Sequence, residues 1–370
     1  TYDMLLVLEG TSNLNATATP PGWSSPIVPR NSPDATPGSA VVPPELIGNI
    51  GNNFVSWAVL HEGPNNLPGW GTNVAKLGSE PFGADYIPDD NTPGYYKFIN
   101  WGPIFMSGGR HSLISWADPG DEVRETTSSD DLYIGRWIWS PLEVFKNSPV
   151  VRPAPPQAHS YGLPDCDGLK FTRHESFAWV SGIAPIGGRD DYDLRVYDDY
   201  VGSTSGFSNE IGASLRGGSD TDFVVGHFEE TPRVLYPGVT RDNDGPGEDY
   251  LADQSDALGR VATGSAYFGE QTLVARRLVD VFEAEFNAGT AYQIRLERMG
   301  GESDIAFEVF PSDGDGVWER GSPEGLASEV LDADTDTLAL AAIVHGRYPI
   351  VVYRVDGIGA LEGPVGYDLT

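Results

Sequence analysis

Carboxylates are the densest chemistry in this sequence. Asp242-Asn243-Asp244-Gly245 is followed by Glu248 and Asp249, so four acidic side chains and a glycine bend fall in one short loop. Calcium (Ca2+) takes about six to eight oxygens in irregular geometry, and short oxygen-bearing side chains around a sharp bend can supply them. Asp191 and Asp193 lie two residues apart, which puts them on one face of a strand as a second pair of oxygen donors. Two readings stand for both sets: a calcium site, or carboxylates that cap a turn and face water. Asp332-Ala333-Asp334-Thr335-Asp336 fills the first three positions of a helix-flanked calcium loop. Thr337 replaces its glycine and Ile343 its bidentate glutamate, which excludes that loop. Asp313-Gly314-Asp315-Gly316 is a weaker version of the same pattern.

Other reactive types are scattered. His61, His111, His159, His174, His227 and His345 show no ligand spacing, and His174-Glu175 lacks the second histidine of a zinc-protease helix. Gly202-Ser203-Thr204-Ser205-Gly206 carries threonine where a nucleophile elbow needs serine. Pro364 follows Gly357-Ile358-Gly359 too soon for a phosphate-cradling helix. The lone Cys166 excludes an intrachain disulfide and a cysteine-cluster metal site. The chain therefore reads as non-enzymatic. Its aromatics, among them Trp70, Trp101, Trp116, Trp137, Trp139 and Trp318, fill β-sandwich cores or form a sugar-stacking platform.

The elements that must position these groups are strands. With 45 Gly and 29 Pro in 370 residues, helix is scarce and tight turns are frequent. Lys and Arg number 23 against 54 Asp and Glu, a formal charge of -31. That field repels nucleic acid and anionic lipid and attracts cations. No stretch reaches the roughly 18 apolar residues of a membrane span. A start at Thr1 rather than Met reads as a processed product or a segment of something longer, at a cell surface or outside the cell.

Residues Asp3, Met4, Leu5, Leu6, Val7 and Leu8 form a nearly continuous apolar run. It is either the first strand of the first domain or a strand donated to a neighbouring copy. Residues 11–46 read as an extended proline-rich segment pinned by Trp23, and Asn15-Ala16-Thr17 fits a glycosylation acceptor. Strands follow through residues 53–145, then a proline-rich linker at 146–168.

In that first region, Val55-Ser56-Trp57-Ala58-Val59 precedes Glu62-Gly63. Gly108-Gly109-Arg110-His111-Ser112-Leu113 and Asp118-x-x-x-Glu122-Val123-x-Glu125 come later. The set resembles the bacterial cell-adhesion-related domain, which implies an immunoglobulin-like sandwich over residues 1–145. Glu62-Gly63 lacks that family's usual Asn, and Ser128-Ser129-Asp130-Asp131 stands where Asn-Asn is common.

The C-terminal half repeats itself. Setting Asp191 on Asp304, 113 residues on, also pairs Gly187 with Gly300, Gly188 with Gly301, Tyr197 with Phe310 and Trp179 with Tyr292. Asp280-Val281-Phe282 leading to Ala288-Gly289-Thr290-Ala291-Tyr292, then Asp304–Phe310 and Tyr348–Tyr353, resembles the bacterial pre-peptidase C-terminal domain. That implies two jelly-roll units, 169–255 and 256–370, the first a more distant copy without the Ala-Gly-Thr turn. The expected fold is all-β: an immunoglobulin-like sandwich and two jelly-roll sandwiches. The expected role is a structural or adhesive protein that assembles with itself into a filament, sheath or surface layer. The alternative is a non-catalytic accessory region of a secreted hydrolase, binding substrate or surface glycans.

Overall fold

The computed structural model describes residues 13–30, 53–62, 71–77, 80–87, 94–104, 106–121, 123, 128–156, 165–173, 178–187, 189–198, 210–218, 220–227, 234–242, 247–257, 260–261, 269–273, 276–301, 304–311, 316–321, 323, 325–328, 335–342, 344–355 and 364–370. The expected donated strand, Asp3 to Leu8, lies outside the described residues, as do Asp244 and Trp70. All regular structure among the described residues is strand, so the fold is all-β, built of antiparallel sheets packed as sandwiches. No helix among the described residues is long and apolar enough to cross a membrane. The chain divides into two compact units, Thr1–Ser140 and Pro141–Thr370.

The first unit holds β1 (Asn13–Asn15), β2 (Ile27–Arg30), β3 (Asn53–Glu62), β4 (Gly71–Leu77), β5 (Glu80–Ile87), β6 (Tyr96–Ile104), β7 (Gly109–Ala117) and β8 (Leu132–Trp139). In one sheet β3 pairs with β1 and β2 on one side and with β6 on the other. In the second the order is β8-β7-β4-β5. Alternation along β3 sends Val55 and Trp57 inward, where they meet Ala75, Leu113 and Trp139 of the facing sheet. Ala58, of opposite parity, packs outside with Trp23 and Val28, and the described part of the stretch expected to be extended forms β1 and β2.

The second unit holds β9 (Leu142–Glu143), β10 (Val150–Arg152), β11 (Cys166–Thr172), β12 (Ala178–Pro185), β13 (Tyr192–Tyr197), β14 (Glu210–Ser214), β15 (Asp222–His227), β16 (Val234–Arg241) and β17 (Tyr250–Asp256). It continues with β18 (Arg260–Val261), β19 (Gly269–Leu273), β20 (Val279–Phe286), β21 (Ala291–Gly300), β22 (Ile305–Val309), β23 (Val317–Glu319), β24 (Leu326–Ser328), β25 (Thr335–Ala341), β26 (Gly346–Arg354) and β27 (Val365–Leu369). The proline-rich stretch 146–168 thus carries β10, an edge strand of the first repeat.

The duplication is complete in the topology. The order β9-β11-β16-β13-β14 recurs as β18-β20-β26-β22-β24, and β10-β17-β12-β15 recurs as β19-β27-β21-β25. Even the short parallel pairings of β9 with β11 and of β18 with β20 correspond. Among the described strands of this unit, only β23 has no counterpart. It arises within the second repeat and adds to β15, extending a sheet of the first.

The two sandwiches of this unit stack. The first core lies between the sheets of β11 and β12 and includes Leu169, Trp179, Leu194 and Val224. The last lies between the sheets of β20 and β21 and includes Phe282, Ile294, Phe307 and Tyr367. A third core joins the sandwiches: Ala178, Val180, Phe223 and Val225 face Val279, Val281, Val351 and Tyr353. Strands β12, β15 and β17 are therefore buried on both faces along their whole length. This is why β12 reads as a run of apolar and small residues although its sheet is antiparallel, while β17 carries Asp253, Gln254 and Asp256 into the interior.

Candidate functional site

The acidic loop is built around a turn. Glu248 reaches back to residues 187–190, where Oε1 accepts the N–H of Arg189 (2.8 Å) and of Asp190 (3.3 Å). A β-carbon on Gly187 would overlap Glu248 Oε2, so the glycine is needed for the carboxylate to sit there. The Tyr192 hydroxyl closes the arrangement, donating to the Glu248 carbonyl and accepting its N–H at 2.9 Å. Asp249 turns its side chain to solvent and accepts the Ile186 N–H on its backbone oxygen (2.9 Å). The turn at Gly187 is thus capped by Glu248, from another loop.

Asp191, Asp193 and Asp242 act on one another electrostatically. The Asp242 N–H donates to the Asp191 backbone oxygen at 3.1 Å. Burial pushes the Asp191 carboxyl up, a hydrogen bond from the Gly218 N–H holds it down, and Asp242 raises it again. Asp193 is pushed up to about 6 by burial and then by Asp242, with Arg195 opposing. Among the described residues, no group of three or more His, Cys, Asp or Glu side chains comes together to hold a metal ion. Residues 243–246 of the expected calcium loop lie outside the described residues. Glu248 is engaged by the turn, and Asp191 and Asp193 bind protons more tightly chiefly because they are partly buried, with Asp242 adding repulsion.

Two further polar clusters escaped sequence reasoning. Asp167 accepts Arg152 Nε and Nη2, each at 2.9 Å, and the Tyr250 hydroxyl at 2.7 Å. Asp280 accepts Arg277 Nη2 and, at 2.8 Å, the Tyr367 hydroxyl. Their aspartates and tyrosines are repeat mates, whereas Arg152 comes from β10 and Arg277 from just before β20. Asp167 pairs with Val239 and Asp280 with Val352, each 113 residues apart. Tyr250 pairs with Pro185 and Tyr367 with Arg298, again 113 apart on the partner strand. Burial pushes the Asp280 carboxyl up to about 6 against the pull of Arg277 and Tyr367. Each cluster ties the first long strand of a sandwich to its last, a structural latch with no access for substrate. An aspartate opening each first long strand, with a tyrosine near each end, was the available signal.

The aromatics separate by environment. Trp139 and Trp318 are core residues, and Trp116 is half-buried beneath the Lys76 ammonium, 4.6 Å from its ring. Three large side chains near one edge strand stay open: Tyr95 (51% exposed), Phe98 (44%) and Trp101 (43%). Phe98 is braced by Tyr96 (centroids 5.9 Å apart, planes 25° apart) and by Trp23 (5.6 Å). Trp101 lies against Gly83 of β5, where an added β-carbon would come within 3.0 Å of the indole. Polar groups flank the rings: Asn100, which accepts the Ser56 hydroxyl at 2.9 Å, and the Lys97–Asp85 ion pair at 3.3 Å.

No protein-family model matches the chain, and no curated protein does. Among solved structures, the pre-peptidase C-terminal domain of a Bacillus anthracis collagenase is 13% identical, over 31% of this chain and 95% of that one, with a TM-score of 0.23. Tripeptidyl peptidase 2 is 9% identical over 97% of this chain and 34% of its own, with a TM-score of 0.26. A tandem of CBM22 domains from Paenibacillus barcinonensis Xyn10C is 8% identical over 60% of this chain and 90% of that one, at 0.18. Each likeness is partial and low-scoring.

Proposed function

We propose that this chain is a non-catalytic accessory region of a secreted protein and holds an uncharged polysaccharide by surface contact along β6. The observation that carries the reading is three exposed large rings, Tyr95, Phe98 and Trp101, within seven residues at the edge of a sheet. Phe98 lies opposite the outward Ala58 and Trp101 opposite the inward Val55, so that the rings flank the edge from its two faces. Water leaves such ring faces favourably on contact with an apolar ligand surface. The rings are braced by Trp23, Tyr96 and Gly83, so little side-chain freedom is lost on binding. Sugar rings offer apolar C–H faces to such side chains and hydroxyls to neighbours like Asn100. The formal charge of -31 opposes polyanions, which argues against acidic polysaccharides.

Pull-down on a panel of insoluble polysaccharides, with Phe98→Ala and Trp101→Ala beside the parent chain, tests the proposal. Truncating an anchoring ring should weaken binding about tenfold, the equivalent of roughly 1.4 kcal/mol. Retention by no polysaccharide, or retention that both variants keep in full, would overturn it.

A further inference from the structure

We propose that Asn15 is an N-linked glycosylation site that receives an oligosaccharide from a polyprenyl-diphosphate-linked donor. Asn15-Ala16-Thr17 is the one Asn-x-Ser/Thr tripeptide without a central proline in the sequence. The fold presents it in a usable form. Leu14 and Ala16 are fully buried in one core cluster, and the Ala16 N–H is fixed to the Asp130 carbonyl at 2.8 Å. Strand alternation turns Asn15, the last residue of β1, away from Leu14; Asn15 is half-buried and Thr17, just beyond the strand, is exposed. A branched sugar at Asn15 projects away from the core.

The carboxamide is already oriented by its partner in the tripeptide. Asn15 Oδ1 accepts both the Thr17 N–H (2.8 Å) and the Thr17 hydroxyl (2.7 Å). With Oδ1 drawn onto Thr17, Nδ2 occupies the other side of the amide, and among the described residues it makes no hydrogen bond. In the transfer, Nδ2 bonds to the anomeric carbon of the donor sugar as the bond from that carbon to the diphosphate oxygen breaks. The lipid diphosphate leaves with the electron pair, and the Nδ2 proton passes to a carboxylate of the transferring enzyme.

The test is to export the full chain from cells whose export route carries an oligosaccharyl transferase, with a known acceptor protein as control. Mass spectrometry of the tryptic peptide ending at Arg30 should show Asn15 carrying the same sugar as the control. Occupancy should vanish in Asn15→Gln and Thr17→Ala and persist in Thr17→Ser, which keeps the hydroxyl and reports on any folding defect at this turn. Unmodified Asn15 in exported parent chain beside a glycosylated control would overturn the proposal. So would sugar retained in exported Thr17→Ala.

Discussion

Asp222 should make the second unit more stable in mild acid than in mild alkali, and Asp222→Asn should remove that part of the dependence. The side chain is 3% exposed at the start of β15, inside the first sandwich. The Ser214 hydroxyl donates to Oδ1 at 2.9 Å, and Oδ2 has no hydrogen-bond partner among the described residues. Burial pushes the carboxyl up to about 7. Ser214 and Arg320 hold it down, and Asp193 and Asp191 add repulsion. Its ordinary value is near 3.9, so the folded chain binds this proton more tightly than the unfolded chain. Stability from this group is complete below about pH 4 and is lost as pH rises through about 7. Three pH units at about 1.4 kcal/mol each give about 4 kcal/mol. In Asp222→Asn the Ser214 bond can persist, but an amide N–H2 takes the place of Oδ2 without an acceptor, at a cost of about 1–3 kcal/mol. The variant should therefore be about 1–3 kcal/mol more stable than the parent at pH 9 and less stable at pH 4. Urea unfolding of both proteins between pH 4 and 9, followed by tryptophan fluorescence, measures the difference. Asp193 and Asp280 also have raised values, so the parent keeps some slope of the same sign, and the difference between the two proteins isolates Asp222. Parallel curves across that range would refute the reasoning.

The duplicated latch predicts matched effects. Tyr250→Phe and Tyr367→Phe should each cost about 1–2 kcal/mol in urea unfolding, since each strips one donor from a buried carboxylate. A loss at one position and none at the other would show that the two clusters are not equivalent. Gly187→Ala should expel Glu248 from the turn and lower stability by about 1–3 kcal/mol, because the N–H groups of Arg189 and Asp190 lose their acceptor. In a Glu248→Ala background the same substitution should cost little. Additive losses in that double-mutant cycle, read from thermal melting, would exclude the cap.

The local rules of this protein are written in its sequence. Gly- and Pro-rich punctuation and two-residue alternation specified strands, and the spacing of 113 residues from Asp191 to Asp304 marked a duplication that the topology bears out strand for strand. Those features were legible because a turn glycine or an alternating strand acts on its immediate neighbours. What the side chains meet is a long-range matter. Alternation could not say that the back of β12 would be covered by β20, or that β23 would leave its own repeat to extend the other. Composition offered many carboxylates for calcium, and tertiary structure assigned Glu248 to a turn in a different loop and set Asp222 among repelling acids. The tryptophans were alike as letters, yet Trp139 and Trp318 lie in cores while Trp101 rests in the open against Gly83. Burial and charge environment depend on which distant strands pair and stack, so only the folded chain decides them.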